Sequence, residues 1–166
     1  MEDDASAAAR IKLRQLSLLR DHRDQYFQGL AELCSETVAA ERCTVYVVQP
    51  REHLIRSWAA QRAEGGITLR IGEGLAGQVA ATGETINVMD AYADPRFDPS
   101  VDQRLGYRTV SMLVVPVWSA DGRRVVGVIQ ALNKRTGVFE RQDQVLLEHI
   151  AAGAASIIEQ ARIGAE

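Results

Sequence analysis

Apolar positions recur along the chain with two periods. From Ala5 to Ala40, Leu16, Leu19, Tyr26, Leu30, Leu33 and Thr37 follow one another at steps of three and four, with no proline and only Gly29 to weaken the run. The spacing predicts one long helix with an apolar seam. Arg23 interrupts the seam, and the half before it is the more charged. That half is expected to project from the core, either covered by a partner helix or left as a solvated extension. Cys43–Val48 is β-branched and aromatic, the composition of a strand covered on both faces. Pro50 ends it, and Leu54–Ala60 follows after a turn short enough to make the two strands antiparallel. Ile67, Leu69 and Ile71 alternate with Thr68 and Arg70, which predicts a third strand with one wet face.

Gly72-Glu73-Gly74-Leu75-Ala76-Gly77 opens a short helix that Gly83 closes, and its glycine spacing fits neither a P-loop nor a dinucleotide fingerprint. Thr85–Val88 reads as a brief strand, Met89–Pro99 as a loop rich in Asp and Pro, and Ser100–Leu105 as a short helix ended by Gly106. Met112–Trp118 and Arg124–Leu132 are apolar strands joined through the hairpin dipeptide Asp121-Gly122. From Arg141 to Ile163, Leu146, Leu147, Ile150, Ala154, Ile157, Ile158 and Ala161 keep helical spacing, behind Glu140, a poor N-cap. This order predicts an α+β fold: a largely antiparallel sheet of about six strands, with the terminal helices on one face. Gly72–Thr109 must cover the other face, where short helices and loops enclose a small-molecule cavity more readily than a packed layer.

A length of 166 residues suits one domain, divided by the pattern into an N-terminal signalling or dimerisation helix over 1–40, a core over 41–160 and a tail or linker over 161–166. The net charge of −3 supplies no general attraction to nucleic acid or to an anionic membrane. No stretch reaches the length of a membrane span, and Met1-Glu2-Asp3-Asp4 is unlike a signal peptide, so a cytoplasmic address is expected. Cys34 and Cys43 lack metal-ligand spacing and read as small buried hydrophobes; His22, His53 and His149 are scattered. No metal site and no catalytic constellation emerges, so the chain is expected not to be an enzyme.

The most informative stretch is Asn133-Lys134, followed by Phe139 and Asp143, where the last strand gives way to the last helix. A lysine at a strand end and an aspartate in the first turn of the next helix can meet across the turn, the aspartate favoured by the positive end of the helix dipole. Phe139 fills apolar space beneath. This spacing resembles the signature of cyclic-nucleotide-binding GAF domains, found in the regulatory halves of phosphodiesterases and in some bacterial adenylate cyclases; the family places Glu where this chain has Gln144. The likeness runs from Arg42 to about Glu159, through Arg42-Cys43-Thr44, Gly74-Leu75-Ala76-Gly77-Gln78-Val79-Ala80, the loop Asn87–Phe97 and Gly106-Tyr107-Arg108-Thr109.

The resemblance implies a GAF-like fold in which Lys134 and Asp143 bridge to each other and support a pocket without lining it. It implies a site for a cyclic purine nucleotide, cAMP or cGMP, bound as ligand with no cofactor. Thr44 would supply a hydroxyl near the base and Trp58 an aromatic face. The backbone of Leu75 and Ala76, with Phe97, Asp98 and Ser100, would cradle phosphate and ribose; Asp102 would bond the base edge, and Thr109 and Gln130 would close the far side. Ala59, Leu105 and Gln130 replace groups that some cGMP-binding relatives carry, which removes acceptors for guanine's donors. The resemblance further implies signal transmission through terminal helices in a homodimer, within a longer signalling protein. The alternative is a dimerisation or interaction module whose pocket is vestigial or takes another small molecule. Sulfoxide reduction and bilin attachment, known for some GAF proteins, require pocket cysteines, and the loop from Met89 to Gly106 has none.

Overall fold

In the computed structural model, residues 2–60 and 66–164 are described. Six strands form one antiparallel sheet: β1 (Ala40–Gln49), β2 (Leu54–Ala60), β3 (Thr68–Arg70), β4 (Ile86–Val88), β5 (Met112–Trp118) and β6 (Val125–Lys134), in the order β3-β2-β1-β6-β5-β4. Strand period sorts their side chains. Register aligns Thr44, Gln130 and Val114 in one row across β1, β6 and β5, with Arg42, Leu132 and Met112 in the row to one side and Tyr46, Val128 and Pro116 in the row to the other. These rows face the short helices. The intervening residues, among them Cys43, Val45, Leu113, Val115, Ile129 and Ala131, face the long ones.

Three long helices cover that second face: α1 (Glu2–Ser17), α2 (Arg23–Thr37) and, after β6, the last helix of the chain, Arg141–Gly164. The single helix expected before Ala40 is broken by a turn over Leu18–His22, so α1 folds back instead of projecting. Close approach explains the fold-back. A Cβ on Gly29 would stand 2.5 Å from Leu16 Cδ2, and one on Gly153 2.8 Å from Leu13 Cδ1, so bare backbone on the neighbouring helices admits the leucines of α1. Leu13, Leu16 and Leu19 thereby pack on their own core, and the seam expected to need a partner is covered within the chain.

On the other face lie α3 (Gly74–Thr82), a 3₁₀ turn (Ala91–Ala93) and α4 (Ser100–Leu105), so the last helix is α5. Ile67, Leu75, Ala76, Val79, Val88 and Ala91 join Tyr46, Ile55 and Val128 in a second, smaller core. Gly77 holds α3 close to the sheet, because a side chain there would collide with the Arg70 carbonyl. The tail expected over 161–166 is, as far as Gly164, the last turn of α5; residues 165 and 166 lie outside the described ones.

Lys134 and Asp143 form the expected clasp. The ammonium donates to Asp143 Oδ1 at 2.9 Å and to the Val38 carbonyl at 2.8 Å. Asp143 Oδ2 accepts from the Glu140 N–H at 2.8 Å. The weak N-cap is therefore compensated from the third helical position, the acidic half of a capping box. Phe139 is buried beneath, its carbonyl accepting from Asn87 Nδ2 at 2.8 Å.

Asp143→Ala removes the ion pair and the cap together and strands a mostly buried ammonium, so it is expected to cost about 2–4 kcal/mol. Lys134→Met, which keeps the cap, should cost less. Urea unfolding of the two variants measures both numbers; wild-type stability in Asp143→Ala would show that the clasp does not hold the fold.

Candidate ligand-binding site

Between the sheet rows led by Arg42, Thr44 and Tyr46 and the layer of α3 and α4 lies a small open-mouthed cavity, with about 60 Å³ open to the centre of a water-sized sphere. Its walls are mainly apolar: Ile67, Leu69, Leu75, Val101, Leu105, Met112 and Leu132. Set among them are four polar side chains, Thr44, Asp102, Thr109 and Gln130, each less than a tenth exposed. Such groups are costly to bury without partners, so where their bonds go decides what the cavity can hold.

Asp102 spends its carboxylate inside the protein. Oδ2 accepts from the Tyr92 hydroxyl at 2.9 Å and the Thr109 N–H at 2.7 Å, and Oδ1 accepts from the Thr109 hydroxyl at 2.7 Å. It ties α4 to the segment before β5 while lining the cavity, where a base-edge partner is expected of it. Thr109 has given its proton to Asp102, so toward the cavity its oxygen can only accept. The Gln130 side chain bonds the Tyr46 hydroxyl. Burial pushes the Tyr46 phenol well above its usual range, so it stays protonated.

Arg42 supplies the opposite polarity. Its guanidinium lies 3.7 Å from the Tyr107 ring centroid, and its Nε is buried without a hydrogen-bond partner. Tyr107 in turn donates to Glu41 at 2.8 Å and accepts from Asn133 Nδ2 at 2.8 Å. That bond holds the Glu41 carboxyl below its usual range, and burial together with Glu41 raises the phenol. Arg42, Tyr46 and Tyr107 were not among the residues expected to form the site. Strand period held the signal for two of them, since Arg42 and Tyr46 stand two positions on either side of Thr44.

Of the expected ligand contacts, Thr44, Leu75, Ala76, Phe97, Asp98, Asp102, Thr109 and Gln130 line this cavity. Ser100 lies outside it, in the groove with Arg70 and Arg104. Trp58 is on the opposite face. Its ring stacks on Phe27 at 5.0 Å and its Nε1 donates to Asp24 at 3.1 Å, both on α2. The cause is strand alternation: Ile55 and Ser57 face the short helices, so Trp58, the next residue, faces the long ones. Asp98 receives the Ser100 N–H at 2.9 Å and stands beside Gly74, which puts a carboxylate near the open start of α3.

Similarity to known proteins now decides the family. The model of the GAF domain matches residues 22–158. The chain belongs to the GAF domain family. GAF domains are ligand-binding regulatory modules. Among curated proteins, "Dual 3',5'-cyclic-AMP and -GMP phosphodiesterase 11A" of Takifugu rubripes is 33% identical over 125 residues, 67% of this chain and 14% of the relative. "Probable 3',5'-cyclic phosphodiesterase pde-5" of Caenorhabditis elegans is 38% identical over 97 residues, 58% of this chain and 13% of the relative. The chain thus spans about one seventh of the length of these relatives.

Among solved structures, the GAF domain of a phosphoenolpyruvate-protein phosphotransferase from Coxiella burnetii superposes with a TM-score of 0.78 at 20% identity, covering 96% of this chain and 98% of that one. Free methionine-R-sulfoxide reductase from Neisseria meningitidis gives 0.70 at 24% identity, over 97% and 93%. Both establish the GAF fold and no more. In this GAF domain Cys34 and Cys43 are fully buried in the helix-side core, away from the cavity, and burial pushes the Cys34 thiol up to about 12 and Cys43 well above its usual value. Neither is placed or ionised as an attacking thiolate. Among the described residues no cluster of His, Cys, Asp and Glu could hold a metal, and no helix is long and apolar enough to cross a membrane.

Asp102→Asn turns one acceptor into a donor that faces other donors, so the ligand-free protein is expected to lose about 2–3 kcal/mol. Chemical unfolding without ligand measures this. Unchanged stability would leave Asp102 as a ligand contact alone. Trp58→Ala should likewise lower stability and leave ligand affinity unchanged.

Proposed function

We propose that this GAF domain is a regulatory sensor whose cavity binds a cyclic purine nucleotide, with adenine preferred over guanine, and which hands its state to neighbouring domains of a longer signalling protein. The observation that carries this reading is the split polarity of the buried wall. Arg42 Nε offers a donor without a partner, Thr109 Oγ1 offers an acceptor, and the Gln130 amide carries one of each. Adenine carries an acceptor beside an exocyclic amine donor and can satisfy both kinds of group. Guanine turns two adjacent donors along one edge, which calls for a carboxylate with both oxygens open, and both oxygens of Asp102 already accept from Tyr92 and Thr109, three bonds in all. The cyclic phosphate carries one negative charge, which the bare N–H groups at the start of α3 can hold, with Asp98 as an opposing charge that limits affinity.

The curated relatives, named for cyclic-AMP and cyclic-GMP hydrolysis, support a cyclic nucleotide as the ligand class. The hydrolytic activity in those names belongs to proteins about seven times longer than the part matched, and regulation is the role proposed for this part.

Isothermal titration with cAMP and cGMP tests the reading. cAMP is expected to bind about ten-fold more tightly, the worth of one hydrogen bond of about 1.4 kcal/mol. Thr44→Val and Arg42→Met should each weaken cAMP by roughly five- to thirty-fold without changing the unfolding midpoint. Absence of heat with either nucleotide at millimolar concentration would remove the proposal.

A further inference from the structure

A second groove lies between α5 and the chain that leads from α3 into β4. We propose that it docks an extended segment of a partner protein and seats one arginine of that segment between Trp118 and Glu148. The groove has about 580 Å³ open to the centre of a water-sized sphere and shares no lining residue with the cavity under α3 and α4. A proline sites it. β4 pairs with β5 only as far as Ile86 and Val114. Beyond Val114, β5 stays paired with β6 and Pro116 has no N–H for its other side, so Gly83–Thr85 part from the strand and leave Pro116 and Trp118 as a floor. α5 forms the far wall, from Gln144 to Ala155.

Charge and shape select the occupant. Glu84 and Glu148 line the groove, and among the described residues no basic side chain does. Both hydrogen bonds to Glu148 fall on one oxygen: Oε1 accepts from the Thr85 hydroxyl at 2.7 Å and from Gln144 Nε2 at 3.0 Å. The carboxylate is thereby held in place, with Oε2 left for an incoming donor. The Trp118 ring, 40% exposed, lies against Gly83, where any Cβ would collide with it. Trp118 thus rests on Gly83 and Glu148 on Thr85, two positions along the chain, so one long side chain can meet both. A guanidinium stacks on an indole face while donating in its own plane, which an ammonium cannot do. The α5 wall from Gln144 to Ala155 is about 16 Å long, enough for about five extended residues. Its far half carries only the small Ala152 and Ala155, which leaves room for a peptide backbone.

The probe is a capped heptapeptide with one central arginine among alanine and valine, titrated into the chain without nucleotide and followed by NMR. The Trp118 indole and the Gly83 and Thr85 amide signals are expected to move, and the Trp58 indole, bonded to Asp24, to stay. Citrulline in place of the arginine should weaken binding by roughly ten-fold, as should Glu148→Gln, which keeps an acceptor for Thr85 and Gln144 but turns an amide toward the guest. Trp118→Leu should weaken it by about two- to five-fold. Glu84→Gln, at an exposed position, should weaken it while melting as wild type, which keeps the test valid if Glu148→Gln does not fold. A motionless Trp118 signal at millimolar peptide, or an affinity indifferent to both glutamate substitutions, would overturn the site. Capped arginine binding as tightly as the heptapeptide would overturn a peptide as the occupant, and so would the same signals moving with protein concentration alone, the mark of a second copy. The nucleotide titration reads the other cavity, so neither result decides the other.

Discussion

Three segments of the fold meet at one ammonium group. Lys134, on the last residue of β6, reaches the carbonyl that ends α2 and the carboxylate that starts α5. Neither helix has a strong cap of its own at that point, since Val38 ends α2 without a glycine and Glu140 precedes α5 without a short polar side chain. The two weak ends are stabilised by one cation and one anion, whose side chains are only 17% and 11% exposed and so are little screened. The packing of α2 and α5 on the sheet, and through them of α1, therefore depends on a contact made from the sheet itself.

How far the sequence foretold this follows from where each signal resides. The clasp and the hairpin of β5 and β6 are local: a few residues of the right type at fixed spacing determine them, and periodicity alone delimits β2, α4, β5 and α5 closely. What failed was set by distant partners. Nothing in Leu18–His22 is a helix breaker, since it contains neither glycine nor proline; the turn exists because Gly29 and Gly153, elsewhere in the chain, admit Leu16 and Leu13. Trp58 is the exception, since it stands three positions from Ile55 and strand alternation alone puts the two on opposite faces. Asp102 has the residue type of a ligand contact, and only the positions of Tyr92 and Thr109 show that it also ties α4 to the segment before β5.

The cavity wall shows the same economy of bonds. Asp102 fixes the hydroxyl proton of Thr109, so that a side chain able to donate or accept turns an acceptor toward the cavity. Asp102 itself lines the cavity, where an unpaired carboxylate would carry a large desolvation cost, and its charge stays paired with the donors of Tyr92 and Thr109.

Asn133 and Lys134 connect that wall to the helices. Asn133 has a left-handed backbone, φ +59°, a conformation asparagine tolerates better than most residues, and its amide accepts from the Val110 and Ser111 N–H groups while donating to Tyr107 and the Arg108 carbonyl. The segment it holds, residues 107–111, includes Thr109 and Tyr107 of the cavity lining. The next residue is Lys134, which holds α2 and α5 on the opposite face. Within two adjacent residues, one side chain holds a loop that lines the cavity and the other holds α2 and α5, so one dipeptide joins the two faces of the sheet.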